Sequence, residues 1–565
     1  MRIVLLLAYN VVRALTWPVR ALWYRLRARR ARWVLLTLRG GLEELGRPPP
    51  GLLRRLVPAM RPERRSVAEV RALVTRMLKD PHAEGLLVQL EHVAGGTPTL
   101  GSLRAELLRL RAGGKRVVVY LPEGGDQRTL YAASAADPVI AMPHASFSAL
   151  GPAASRTYLK SLLDRIGVEA EVLAEGRYKS AAEPLVRDGM SAPERTQLEA
   201  IVKSLHDDWV RTVGARAKLG EAGAVQLFAE GVFGGERARA LNAIDGCAYE
   251  DGLHPLLGLD ARRPPVASAR YRGGAAPRVF VPLRARMHIA LVRLSGPIGE
   301  RATRGGIALH PTTAMLRRLA AHPRVAGVLL HIDSPGGSAL VSELLHRELA
   351  QLGAKKPTVA WLGDVAASGG YYLACAAPTI VAHPATLTGS IGVISLRPVA
   401  AALFARLGVR RELVSMTPFA DLHALTRRSS EAEEALLRAE SRRVYARFIE
   451  VVAAGRKRDA SAIEALAEGR VWSGEDAAAQ GLVDTLGGYH EALAALRARI
   501  DPGIALVDEP IAIVPPRLAG SVPFAAPPAA AGLPADVQAL LGALARFSSG
   551  GERVLTYALD LPRLG

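Results

Sequence analysis

Cysteine is nearly absent: Cys247 and Cys375 are the only two in 565 residues, too few for a disulfide framework and wrongly spaced for a metal cluster or redox pair. Both are expected to be small buried hydrophobes. The amino-terminal apolar run is short, confined to residues 3–12 and broken at Arg13, whereas a spanning helix needs about 20 apolar residues. A cleavable signal is equally poorly matched, since it needs its basic end first and a small-residue cleavage site afterwards. Acidic residues are missing from residues 1–32, which hold eight arginines. What the chain does have is an ordinary globular balance, 49% hydrophobic and 22% charged, which excludes wholesale disorder. Its length excludes one small module and fits three or four domains, or fewer large ones.

The net charge of +20 is unevenly placed, because +13 of it falls within residues 1–80. Around the first arginines stand Ile3, Leu5, Leu6, Trp17, Leu22, Trp23 and Tyr24, a mixture suited to a lipid headgroup region. Residues 1–32 are therefore read as a basic amphipathic segment lying on, or marginally anchored in, a membrane. A solvated surface helix and a basic nucleic-acid-binding arm are the alternatives. No aromatic stacking platform or nucleic-acid motif accompanies the arginines, so no nucleic-acid partner is expected.

Strand-like apolar runs at 33–38, 85–90, 116–121 and 139–141 alternate with helical spacing at 100–111 and 157–166, the signature of an α/β fold. The same order returns at 289–294, 325–332, 358–362 and 380–382, with helices at 341–352 and 399–407. Gly85-Leu-Leu-Val faces Gly327-Val-Leu-Leu, and Arg165-Ile-Gly-Val faces Arg406-Leu-Gly-Val, displaced by about 241 residues. Glu230-Gly-Val-Phe likewise matches Glu468-Gly-Arg-Val-Trp. A period that long is a duplicated domain, not a solenoid. The expected organisation is a basic segment at 1–32, one α/β domain at 33–260, a Pro/Gly/Arg-rich linker at 261–278, its copy at 279–500, and a tail at 501–565. Within that tail a Pro/Ala-rich stretch precedes an amphipathic helix at 536–547.

Chemistry is sought where the copies differ. In the second copy one strand ends in Asp333-Ser334-Pro335-Gly336-Gly337 and the next in Ala367-Ser368-Gly369-Gly370. Glycines after two neighbouring strand ends are able to aim backbone N–H groups at one point, so Gly369 and Gly337 are candidate oxyanion donors beside Ser368. In the first copy Ser368 aligns with Gln127. A serine hydroxyl needs a base. Lys179, in Gly176-Arg-Tyr-Lys-Ser, belongs to the first copy, and its counterpart in the second falls near Ala420. His331 and Asp333 offer a Ser/His/Asp alternative. Singly, these features are a tight turn, a solvated lysine or a helix cap. Their joint occurrence in this order carries the reading.

With Thr388-Gly389-Ser390-Ile391-Gly392, these motifs resemble the signal peptide peptidase A (protease IV) family in its long duplicated form, over about residues 33 to 500. The resemblance implies two tandem Clp-protease/crotonase-like α/β domains and a serine endopeptidase with a Ser/Lys dyad. By motif, Ser368 would be the nucleophile, Lys179 the base, Ser390 a hydroxyl orienting the lysine, and Gly369 and Gly337 the oxyanion donors. It further implies hydrophobic peptide substrates such as remnant signal peptides, a homotetramer, and a place in the bacterial inner membrane with the catalytic domains outside the cytoplasm. Arginines after the apolar run would favour the cytoplasmic side under the positive-inside rule, which opposes that topology. No metal or cofactor is implied. A crotonase-like acyl-CoA enzyme, using carboxylates for proton transfer, and a catalytically silent membrane scaffold are the other classes.

Overall fold

The computed structural model describes residues 2–28, 33–46, 66–216, 218–259, 264–271, 273, 279–280, 286–301, 306–513 and 555–557. They form mixed α/β structure in two compact units, Met1–Gly151 with His206–Arg286, and Pro152–Leu205 with Met287–Gly565.

The first unit is built on a parallel sheet in the order Val266–Ala267, Trp33–Gly41, Gly85–Ala94, Arg116–Leu121, Val139–Ala141, Gly246–Cys247. Its central strands are near-continuous apolar runs because a parallel sheet is covered on both faces. Helix Val67–Leu78, capped by Ser66, and helix Thr97–Ala112 supply much of that cover. Buried between them, Arg71 bonds Glu44 and Glu106, each at 2.8 Å. Part of the expected linker is built into this unit: Val266 and Ala267 extend the sheet, and the buried Tyr271 hydroxyl donates to Asp80 at 2.7 Å. Cys375 of the second unit is buried as expected, but Cys247, on an edge strand, is only half-buried.

The second unit repeats the pattern. Strands Val471–Ser473, Leu387–Gly389, Thr358–Ala367, Val325–Ser334, His288–Ser295 and Ile511–Ile513 lie side by side in that order, and Ile380–Ala382 pairs with Thr358–Ala367. Residues 511–513, assigned to the tail from sequence, thus extend the edge of this sheet. A second sheet runs Ile307–Ala308, Ile298–Gly299, Gly336–Ser338, Leu555–Tyr557, Val393–Val399, Glu169–Glu175. Its last pair joins the two sequence copies: Glu169–Glu175 runs antiparallel to Val393–Val399 over seven residues, which is why 152–205 packs with the second copy.

At the amino terminus, helix Arg2–Ala28 contains Pro18 and leaves Leu15 and Val19 exposed. No helix among the described residues is long and apolar enough to cross a membrane. The helix expected at 536–547 lies outside the described residues.

Candidate active site

Strand Thr358–Ala367 delivers Ser368 to its end, and helix Gly369–Ala374 begins immediately after. The turn between them is sharp: Ser368 has φ 55°, its N–H donates to Gly389 O at 2.7 Å, and its carbonyl accepts from Tyr372 N at 2.9 Å. A non-glycine residue in this region costs about 1–3 kcal/mol and persists only where its surroundings impose it. The following glycines are sterically required, because a Cβ on Gly369 would lie 2.6 Å from Ser342 Oγ and one on Gly370 2.5 Å from Ser334 O. Gly337 sits in the short strand Gly336–Ser338, in register with Ile298, and a Cβ there would lie 2.1 Å from Ile298 O.

Lys179 follows strand Glu169–Glu175 and is buried, as are Ser368 and Ser390. Its Nζ lies 3.1 Å from Ser368 Oγ and 2.9 Å from both the carbonyl oxygen and Oγ of Ser390. Burial pulls the lysine down from 10.5 to about 7, with no carboxylate offsetting it. The three oxygens suit the three N–H donors of the ammonium. Once the amine loses a proton, two N–H groups remain for Ser390 and the lone pair faces the Ser368 hydroxyl. Ser390 is itself constrained, with φ 51° and its N–H donating to Arg470 O at 2.7 Å.

The support for this lysine comes largely from residues that sequence reasoning passed over. A Cβ on Gly469 would lie 2.6 Å from Lys179 Cβ, and Gly469 has φ 75°. Gly469 N donates to Ile391 O at 2.8 Å, and Tyr178 N to Glu468 O at 2.8 Å, so 468–470 clasps both the lysine and serine segments. The Arg470 guanidinium lies over the rings of Tyr178 and Trp472, at 5.2 and 4.1 Å from their centroids. Buried Gln197 accepts from Val471 N at 2.8 Å. The repeated Glu-Gly motif at 230 and 468 was the only available signal for any of these.

His331 is not brought to Ser368. Alternation along Val325–Ser334 puts Leu330 and Ile332 into the core, while the His331 ring packs edge-on against Trp361 with centroids 4.4 Å apart. Asp333 Oδ1 accepts from Val365 N. In the first unit, Gln127 holds the position equivalent to Ser368, and its amide is engaged at both ends, donating to Gly151 O at 3.2 Å and accepting from Leu150 N at 3.3 Å. Among the described residues, no group of His, Cys, Asp and Glu is placed to hold a metal ion.

The profile of peptidase family S49 matches twice, at residues 109–255 and 350–501. The chloroplastic serine protease SPPA of Arabidopsis thaliana is 30% identical over 74% of this chain and 63% of its own length. Protease 4 of Salmonella typhi is 32% identical over 74% of this chain and 69% of its own, and Protease 4 of Haemophilus influenzae 28% over 76% and 72%. The chain thus spans between three-fifths and three-quarters of the length of these relatives. It belongs to peptidase family S49, with the family profile matched twice along the chain.

Proposed function

We propose that the chain is a membrane-associated Ser/Lys endopeptidase that cleaves hydrophobic peptides, such as signal peptides already released from their preproteins. The observation that carries this is the buried Lys179 amine, its pKa lowered by burial to about 7, with Nζ 3.1 Å from the Ser368 hydroxyl oxygen.

In this mechanism Ser368 Oγ attacks the scissile carbonyl carbon while its proton passes to Lys179 Nζ. The oxyanion so formed is met by backbone N–H groups, with Gly369 and Gly337 as the assigned donors. The Lys179 ammonium then protonates the leaving amine nitrogen, the C–N bond breaks, and an acyl-Ser368 ester remains. Water, deprotonated by the same amine, hydrolyses the ester and regenerates Ser368. Ser390 keeps the amine aimed throughout. The reading also accommodates an extended substrate: the chain's own Leu555–Tyr557 backbone runs antiparallel to Gly336–Ser338 and meets Val393–Val399 on its other side, so one strand of peptide fits beside the glycine turn.

Membrane association is supported by helix Arg2–Ala28, which combines exposed apolar residues with arginines, and the assigned setting is the bacterial inner membrane with the peptidase outside the cytoplasm. The proposed assembly is a homotetramer. An acyl-CoA enzyme would have no use for a neutral lysine against a serine, and a scaffold would have no need of one. A fluorophosphonate probe tests the reading: Ser368 should be labelled in the native chain, with labelling lost in Lys179→Ala. Binding of CoA without labelling would favour the acyl-CoA enzyme, and neither result would leave the scaffold.

A further inference from the structure

We propose that Arg470 is a specificity-determining residue that binds the terminal carboxylate of a peptide substrate, so that the enzyme favours peptides whose free carboxyl end lies a few residues beyond the cut. The inference deepens the peptidase reading above and rests on it, since it names what the same site recognises on the leaving side.

The Arg470 guanidinium is held in place yet has no partner for its charge. It lies over the rings of half-buried Tyr178 and Trp472, and Arg177 also lies over Tyr178, 5.2 Å from its centroid. Stacking engages the face of a guanidinium and leaves its in-plane N–H fork available, already aimed before a ligand arrives. Among the described residues no carboxylate or other acceptor takes that fork, and the Tyr178 hydroxyl is likewise without a hydrogen-bond partner. Elsewhere in the second unit Arg397, Arg427, Arg447 and Arg456 are each paired with Glu or Asp. The neighbouring Glu468 carboxylate is occupied by Arg177. A fixed, half-buried and unpaired fork matches a carboxylate bidentately.

Its position follows from strand register. The Arg470 carbonyl accepts from Ser390 N at 2.7 Å, and the adjacent Gly469 abuts Lys179. A peptide lying as Leu555–Tyr557 does, with Leu555 opposite Ile394 and running antiparallel to Val393–Val399, advances toward Ser390 as it passes the catalytic pair. Its residues beyond the cut therefore emerge where Ser390 meets Arg470, just ahead of strand Val471–Ser473. A peptide released by an earlier hydrolysis ends in a carboxylate, so peptide-bond hydrolysis is the class of reaction that supplies this substrate.

The repeat separates this role from a structural one. Trp472 pairs with Thr388 in the second copy, and Phe233 pairs with Phe147 in the first, so the two strand pairs keep one register. Yet the first copy reads Glu230-Gly-Val-Phe where the second reads Glu468-Gly-Arg-Val-Trp. The arginine is the additional residue, and the same antiparallel pair forms without it. The copy that has Gln127 in place of the serine lacks the arginine as well.

The test compares kcat/KM of the full chain on one peptide ending in a carboxylate and on the same peptide ending in an amide. The acid should be favoured about tenfold or more, chiefly through KM, as a charge-assisted pair requires. In Arg470→Gln the ratio should fall to within about twofold of one, and Arg470→Lys, which keeps the charge but loses the fork, should fall between. Because the ratio is internal to each variant, a general loss of activity does not imitate the effect. An amide peptide with Asp at its last position should stay near the plain amide, and recovery to the level of the acid would overturn the terminal assignment in favour of an acidic side chain. A native ratio near one, with both peptides cleaved and Ser368 labelled by the fluorophosphonate, would overturn the carboxylate site and leave the peptidase reading standing. A ratio undiminished in Arg470→Gln would remove Arg470 from recognition. Absence of both cleavage and labelling would overturn the peptidase reading and this one with it.

Discussion

Lys179 Nζ and Ser368 Oγ lie 3.1 Å apart although 189 residues separate them in the chain, and the lysine comes from the first sequence copy while the serine comes from the second. The pair exists because strand Glu169–Glu175 crosses into the sheet of the second copy and leaves Lys179 four residues beyond its end. Neither copy alone encodes the pair.

If Ser368 is the nucleophile, Ser368→Ala should lower peptide hydrolysis by a factor on the order of a thousand or more, as expected when one member of a group acting as a unit is lost. The substitution removes one buried oxygen from a turn held by backbone bonds, so thermal stability should move by no more than about 1 kcal/mol. Retained turnover above a few per cent, with the fold intact, would remove Ser368 from the mechanism.

Much of this site was legible because the repeat offers an internal control. Ser368 and Lys179 stand out as residues with no equivalent in the other copy, and Gln127 shows what fills the position when the chemistry is gone. Strands such as Arg116–Leu121 and Ile380–Ala382 were readable to the residue, since 117–121 and 380–382 are unbroken apolar runs. The apolar run of Thr358–Ala367 stops at Leu362, and Gly363 and Asp364 carry no strand pattern, yet the ladder resumes at Ala366 opposite Ser334. Gly469 was legible only as part of the repeated Glu-Gly motif, without its role, and Gln197 not at all. One acts by lacking a side chain against Lys179 and the other by accepting a backbone proton, and neither leaves a periodicity. The packing of 152–205 with the second copy was hidden for a related reason, since it depends on a pairing between strands more than 200 residues apart.

Gly469 should prove a positioning residue. A side chain there meets Lys179 Cβ and forces a non-glycine residue to φ 75°, a strain of roughly 1–3 kcal/mol. Gly469→Ala should reduce kcat about tenfold or more with a smaller change in KM, and should slow fluorophosphonate labelling in parallel. Unchanged kcat in a folded variant would show that the clasp does not aim the lysine.

The buried lysine should cost stability, with a defined pH dependence. Its folded pKa, about 7, lies below the unfolded value of 10.5, so between those limits the unfolded chain binds more protons and stability rises with pH. Below pH 7 the penalty is fully present, on the order of 5 kcal/mol at 1.36 kcal/mol per unit. Lys179→Met should therefore stabilise the chain most at pH 6, less at pH 8, and hardly at all near pH 10.5. Denaturant melts of both proteins at those three pH values measure the trend, and a gain that grew with pH would contradict a lowered lysine pKa.

Removal of residues 2–32 should release the chain from anionic vesicles while leaving cleavage of a soluble peptide intact. High salt should weaken vesicle binding of the full chain, since arginines facing lipid headgroups are screened over about 10 Å at 0.1 M. Flotation with and without salt distinguishes this from salt-insensitive, carbonate-resistant retention, which would mean a spanning anchor.

The pH profile of peptide cleavage brings the lysine and Ser390 together. Below about pH 7 the Lys179 amine carries a proton and has no lone pair for the Ser368 hydroxyl, so kcat/KM should climb as pH rises through about 7 and then level off. Lys179→Arg should restore nothing over Lys179→Ala, because guanidinium stays protonated throughout this range. Ser390→Ala leaves the base in place but deprives one of its N–H groups of an acceptor in a buried site, a loss of about 1–3 kcal/mol that should appear as a ten- to hundredfold fall in kcat. The lost acceptor had favoured the ammonium more than the amine, so the acid limb of Ser390→Ala should move to lower pH. A limb that stayed fixed while kcat fell would show Ser390 to be a packing residue only, and a limb absent from the native profile would place the general base elsewhere than Lys179.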